Sequence, residues 1–231
     1  MKTFLATLLT GTALFALPAY AVPTIVVDFN ASTVFSGGTP AGSIHVELSN
    51  NAGGVLMAVT SHLLGDEFVL PGDGFYLNFN PAKNIAALTF TEILGPATAI
   101  FAASQNAYKA DGDGKLDIHI TYTPSNAKPF DINGDTALYQ FSGLAGLTVE
   151  DFRFLSDTTC NGCGGNGAHA AAVHIGGIDG DPSSAWAGPT TVPGVIDPQV
   201  IIPTPEPASL ALLGAGLLGI VAARRRSNPR A

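Results

Sequence analysis

Two short stretches of this chain bring chemically competent side chains close together. The first is Asp111-Gly112-Asp113-Gly114 followed by Asp117, which puts three carboxylates within seven residues. A hard cation such as calcium is held by several oxygens from a flexible loop. The two glycines let the backbone bend so that Asp111 and Asp113 can converge. The pattern departs from a calcium loop in two ways: no carboxylate or amide stands two residues after Asp113, and no Glu closes it. Asp131-Ile132-Asn133-Gly134-Asp135 has the right alternation, yet Ser142 stands where the bidentate Glu belongs. Asp-Gly is also ordinary turn chemistry between strands. Asp111, Asp113 and Asp117 are therefore calcium candidates, with a plain acidic turn as the competing reading. No other cofactor is expected.

The second stretch is Cys160-Asn161-Gly162-Cys163. In an exported chain a Cys-x-x-Cys pair defaults to a disulfide, and so small a ring adds little stability. A metal site is the rival, because His169 and His174 follow, but five residues between Cys163 and His169 are far fewer than a zinc-finger spacer. Free thiols are the third possibility. Haem attachment is excluded, since Gly164 stands where a His is required. The five histidines form no catalytic set by spacing. His45 and His119 fall on the polar faces of predicted strands, and His174 sits in an apolar run as a structural histidine. There is no Gly-x-Ser-x-Gly, Walker loop or His-Glu-x-x-His. No enzymatic activity is expected on these grounds, although paired carboxylates leave a polysaccharide hydrolase as a distant alternative. Trp186 is the single tryptophan, able to stack on a sugar but placed in a Gly/Ser/Pro setting that suits packing.

The elements that must position these groups are strands. Eight segments show β-branched runs or a period of two: Thr24–Phe29, Ser43–Leu48, Val55–Thr60, Phe75–Phe79, Ala87–Thr91, Lys115–Tyr122, Ala137–Phe141 and Ala170–Ile175. In Lys115–Tyr122 the pattern predicts Leu116, Ile118, Ile120 and Tyr122 inward, with Asp117, His119 and Thr121 outward. Gly and Pro interrupt the chain throughout, and no sustained helical period appears. One helical turn is predicted at Thr148-Val149-Glu150-Asp151, which resembles a capping box. The fold class that follows is all-β, an antiparallel β-sandwich.

The two ends do not belong to that fold. Residues 1–21 read as a signal peptide: Lys2, an apolar run from Phe4 to Leu17, and Ala19-Tyr20-Ala21 as a small-x-small cleavage site, so the mature chain starts at Val22. Residues 203–231 begin with Pro203-Thr204-Pro205-Glu206-Pro207, an extended spacer. An uncharged run from Ala208 to Ala223 follows. At about 1.5 Å of rise per residue it spans only about 24 Å as a helix, a short transmembrane segment. Arg224, Arg225 and Arg226 close it and hold the C-terminus on the cytoplasmic side.

This order of proline motif, short span and basic end resembles the PEP-CTERM tail of Gram-negative bacteria, with Pro205, Glu206 and Pro207 as the namesake motif. The resemblance implies handling by exosortase, a membrane protease or transpeptidase, and a link to extracellular polysaccharide. Phe75–Pro81, Ala110–Ile118, Leu147–Ser156 and Ala170–Ile178 are similar in order to a recurrent PEP-CTERM exported domain. That likeness implies an envelope or matrix protein without an assigned catalytic activity.

Between them, residues 22–202 form the exported domain. They hold seventeen of the eighteen acidic residues and five of the ten basic ones, a net charge of −12. Such a surface repels phosphate backbones, so nucleic acid is not an expected partner. The expected function is a cell-envelope or outer-surface protein, structural or associated with exopolysaccharide matrix. The alternative is a calcium-assisted carbohydrate-binding module.

Overall fold

A computed structural model describes residues 24–191, apart from 112–113, 161–162, 164 and 179–182. The signal peptide, the 203–231 tail with its proline motif and arginines, and Asp113 therefore lie outside the described residues. Twelve strands run in chain order: β1 Thr24–Phe29, β2 Val34–Gly37, β3 Ile44–Asn51, β4 Gly54–Ser61, β5 Phe68–Val69, β6 Phe75–Leu77, β7 Thr89–Leu94, β8 Thr98–Lys109, β9 Lys115–Thr123, β10 Thr136–Ser142, β11 Ala171–Ile178 and β12 Ser183–Ala187. Every pairing is antiparallel. One sheet has the order β1-β3-β4-β10-β7, and the other the order β2-β12-β11-β6-β9-β8, with β5 also pairing β11.

The alternation seen in the sequence explains the layering. Ile44, Val46 and Leu48 of β3 are buried, as are Val55, Met57 and Val59 of β4. They meet Phe75, Ile118, Ile120, Val173 and Ile175 of the second sheet in one apolar cluster. The inner faces touch directly: Phe29 lies against Phe75 with ring centroids 6.1 Å apart, and Phe141 against Phe101 at 6.0 Å. The Tyr122 and Tyr139 hydroxyls meet across the layer at 3.2 Å. This is a sandwich-like all-β fold, and burial of apolar area between the sheets is what drives it. Among the described residues no helix is long and apolar enough to cross a membrane.

All eight expected strands are present, and the turn at Gly53-Gly54 closes β3 onto β4 through the Asn51–Gly54 pair. The turn at Thr148 is a 3-10 turn, Val149–Phe152, with Asp151 accepting from the Thr148 backbone N–H at 2.9 Å. Three expectations are corrected in β9. Leu116 does not join the inter-sheet core but packs with Tyr76, Ala110 and Ala172 on the opposite face of the second sheet. Asp117 is not outward in water; it is 3% exposed. The cause is a β-bulge in β8, whose register slips between Ala103 and Tyr108 and puts Asn106 at a φ of 50°. The bulge frees the Asn106 N–H, and Asp117 Oδ1 accepts it at 2.6 Å. Third, His119 is half-buried and stacked on Tyr76, with centroids 4.2 Å apart.

Candidate functional site

The face of the second sheet turned away from the core carries a linked set of polar and aromatic groups. Its centre is the turn between β5 and β6, Leu70-Pro71-Gly72-Asp73-Gly74. Pro71 and Gly72 favour a turn, and Gly74 closes it at a φ of 53°, where a side chain is strained. A Cβ at Gly74 would also be driven into the Ile120 carbonyl oxygen. The turn is fastened to β11 on both sides of a single residue: Leu70 N–H donates to the His174 carbonyl at 2.9 Å, and His174 N–H donates to the Gly74 carbonyl at 3.2 Å. Asp73 is thereby fixed above His174.

The side chains follow that backbone. Asp73 Oδ2 lies 2.7 Å from His174 Nδ1, and His174 Nε2 lies 2.9 Å from Ser184 Oγ on β12. Hydrogen bonding to His174 holds the Asp73 carboxyl below the usual carboxylate range, against the opposing pull of burial. Trp186, paired with His174 across the strands, stacks on its imidazole at 4.1 Å and 16°. On the other side His119 Nε2 sits 2.8 Å from the Asp73 carbonyl, and burial pushes the His119 pKa down. An acid, an imidazole and a hydroxyl held in this order are the parts of a proton relay to a nucleophile.

A cavity of about 430 Å³ lies near the other end of β12. Ser32, Thr33, Phe35, Asn166, Thr190 and Thr191 line it, together with His169. His169 is fully buried; its Nδ1 lies 2.9 Å from the Gly188 carbonyl and its Nε2 3.1 Å from the Asn166 carbonyl. Both ring nitrogens thus face backbone carbonyls of the cavity wall, and among the described residues no Asp, Glu, Lys or Arg lines it.

The sequence candidates are placed as follows. Cys160 and Cys163 come together with Cα atoms 5.2 Å apart, within disulfide range, and are bonded in the structure. His169 and His174 are engaged elsewhere, as above. Asp111 is exposed with a φ of 41°, while Asp117 is committed to protein donors: the N–H groups of Phe79 at 2.8 Å and Asn106, and Gln105 Nε2 at 3.1 Å. Burial raises the Asp117 pKa. Among the described residues no three His, Cys, Asp or Glu side chains gather where a metal could sit. Sequence spacing missed the Asp73–His174–Ser184 relay because its members lie on three elements. The only local signal was Pro-Gly-Asp-Gly, which reads as a turn.

The described residues form an all-β domain, and the sequence carries a C-terminal extension after it. The extension is specific: residues 203–226 match the PEP-CTERM protein-sorting motif, a signal for exosortase-type sorting to the cell envelope. No curated protein and no solved structure matches the chain.

Proposed function

We propose that this protein is a structural component of the outer surface, associated with extracellular polysaccharide once an exosortase-type enzyme has processed its tail. The observation that carries the reading is the sorting motif at residues 203–226. The signal peptide expected at residues 1–21 and the net charge of −12 between residues 22 and 202 suit a soluble domain delivered beyond the inner membrane. Intact-mass analysis of the protein from its host tests it. A start at Val22 and loss of Arg224–Arg226 are expected, together with retention at the cell surface. A mature protein that keeps the arginines, or one unchanged in a strain lacking the sorting enzyme, refutes it.

A second reading is favoured by the cavity. Among the described residues its wall bears hydroxyls and an amide and no charged carboxylate or amine, a lining that suits a neutral sugar. A glycan array run with and without chelator addresses this reading. Binding that survives chelation and is lost in Asn166→Ala supports it and excludes calcium assistance.

A further inference from the structure

We propose that Ser184 is an activated nucleophile that accepts the acyl group of a short-chain ester and passes it to water. The relay sits outside the sorting tail and away from the 430 Å³ cavity, so neither reading above uses it.

Three features of the site support the assignment. First, the order and distances suit proton transfer. Asp73 Oδ2 at 2.7 Å from Nδ1 leaves the proton on that nitrogen and turns the lone pair of Nε2 toward Ser184 Oγ at 2.9 Å. Second, the imidazolium that forms on taking the proton is stabilised from two directions, by the Asp73 carboxylate and by the face of Trp186 at 4.1 Å. Third, backbone hydrogen bonds hold the orienting groups in place. The two backbone bonds clamp the Asp73 turn around His174, and His119 holds the Asp73 carbonyl. The Asp73 side chain is nevertheless 44% exposed and that of His174 13%. Ser184 is half-buried on its strand.

The step balances with water as the only co-reactant. Ser184 Oγ attacks the ester carbonyl carbon and its proton moves to His174 Nε2. The bond from that carbon to the alkoxy oxygen breaks, and the alcohol leaves with the proton from His174. Water then attacks the acyl-serine carbon and gives a proton to His174. The Ser184–acyl bond breaks, the carboxylic acid departs, and the hydroxyl takes its proton back.

The test uses the mature protein and p-nitrophenyl acetate. Rapid acid quench followed by peptide mapping should find one acetyl group, on Ser184, at early times. Release of p-nitrophenol should disappear in Ser184→Ala and slow about a hundredfold or more in His174→Gln. Asp73→Asn should also slow it, through loss of the oriented tautomer. Circular dichroism and melting of each variant separate loss of the relay from loss of the fold. The mapping on unaltered protein needs no variant at all. Absence of acetyl-Ser184 there, or equal acetylation in a folded His174→Gln, overturns the proposal and leaves the three residues as a hydrogen-bonded staple between strands.

Discussion

Single buried carboxylates carry much of the local order. Asp151 is pulled up in pKa by burial, but Lys83, Asn80 and the Thr148 N–H together outweigh that and hold it below the ordinary range. Lys83 Nζ sits 2.6 Å away, with the Asp151 side chain only 5% exposed. A depressed folded pKa means stability present above the unfolded value and lost as pH falls through the folded one. Lys83→Met should therefore cost about 2 kcal/mol at neutral pH, less than for a fully buried pair because Lys83 is part-exposed. Urea melts in a pH series should show that gap narrowing below about pH 4 as the carboxyl protonates. Glu67 plays a comparable part, accepting from the N–H groups of Ala41, Gly42 and Leu64 at 2.5 to 3.1 Å while 4% exposed. The Asp151 bond to the Thr148 N–H is the capping box legible in Thr148-Val149-Glu150-Asp151, whereas Lys83 and Ala41 lie too far along the chain to leave a spacing to read. Cys160 and Cys163, by contrast, were paired from their spacing together with the expectation of export. Alkylation of unreduced protein should leave both unmodified. Cys160→Ser with Cys163→Ser should lower the melting midpoint only slightly, because the closed loop is short.

At the level of elements, legibility followed composition. β3 announced itself through clean apolar alternation, which its burial pattern repeats; β4 reads as a continuous apolar run, Val55-Leu56-Met57-Ala58-Val59, whose buried face of Val55, Met57 and Val59 only the structure picks out. β8 is the longest strand and was missed. It contains four alanines and the run Ser104-Gln105-Asn106, residues poorly suited to strands, and it lies at a sheet edge with one neighbour. Its bulge depends on Asp117 of β9, so the strand is specified by its partner more than by itself. β5, two residues long, is beneath any periodicity signal. The turn after it, Pro71-Gly72-Asp73-Gly74, is made of turn residues, but nothing in them shows that it aims Asp73 at His174. Gly74→Ala should cost more than about 2 kcal/mol through the left-handed backbone and the collision with Ile120. Thermal melting reads that loss, and the hydroxyl–imidazole contact at Ser184 should loosen with it. A variant that melts like the parent would show that the turn adapts and that the clamp on His174 is not rigid.

For the whole molecule, the sorting motif at residues 203–226 was the most informative part of the sequence, and the sandwich followed from counting short strands. Strand order was beyond it, because alternation says which face is buried but not which strand lies alongside. That order has a consequence for time. β2 near the start of the exported domain pairs with β12 near its end, Ser36 opposite Trp186, and β4 waits for β10. Pairings this distant in sequence are reached only after a large loss of chain entropy, so folding is slow for the domain's size. Stopped-flow refolding should take milliseconds to seconds or longer; completion within microseconds would contradict the strand order. A chain that emerges N-terminus first cannot complete its second sheet until β12 has followed. The sheet stays open for most of that passage, and only at its end does the outer face with Asp73, His174 and Ser184 come into being.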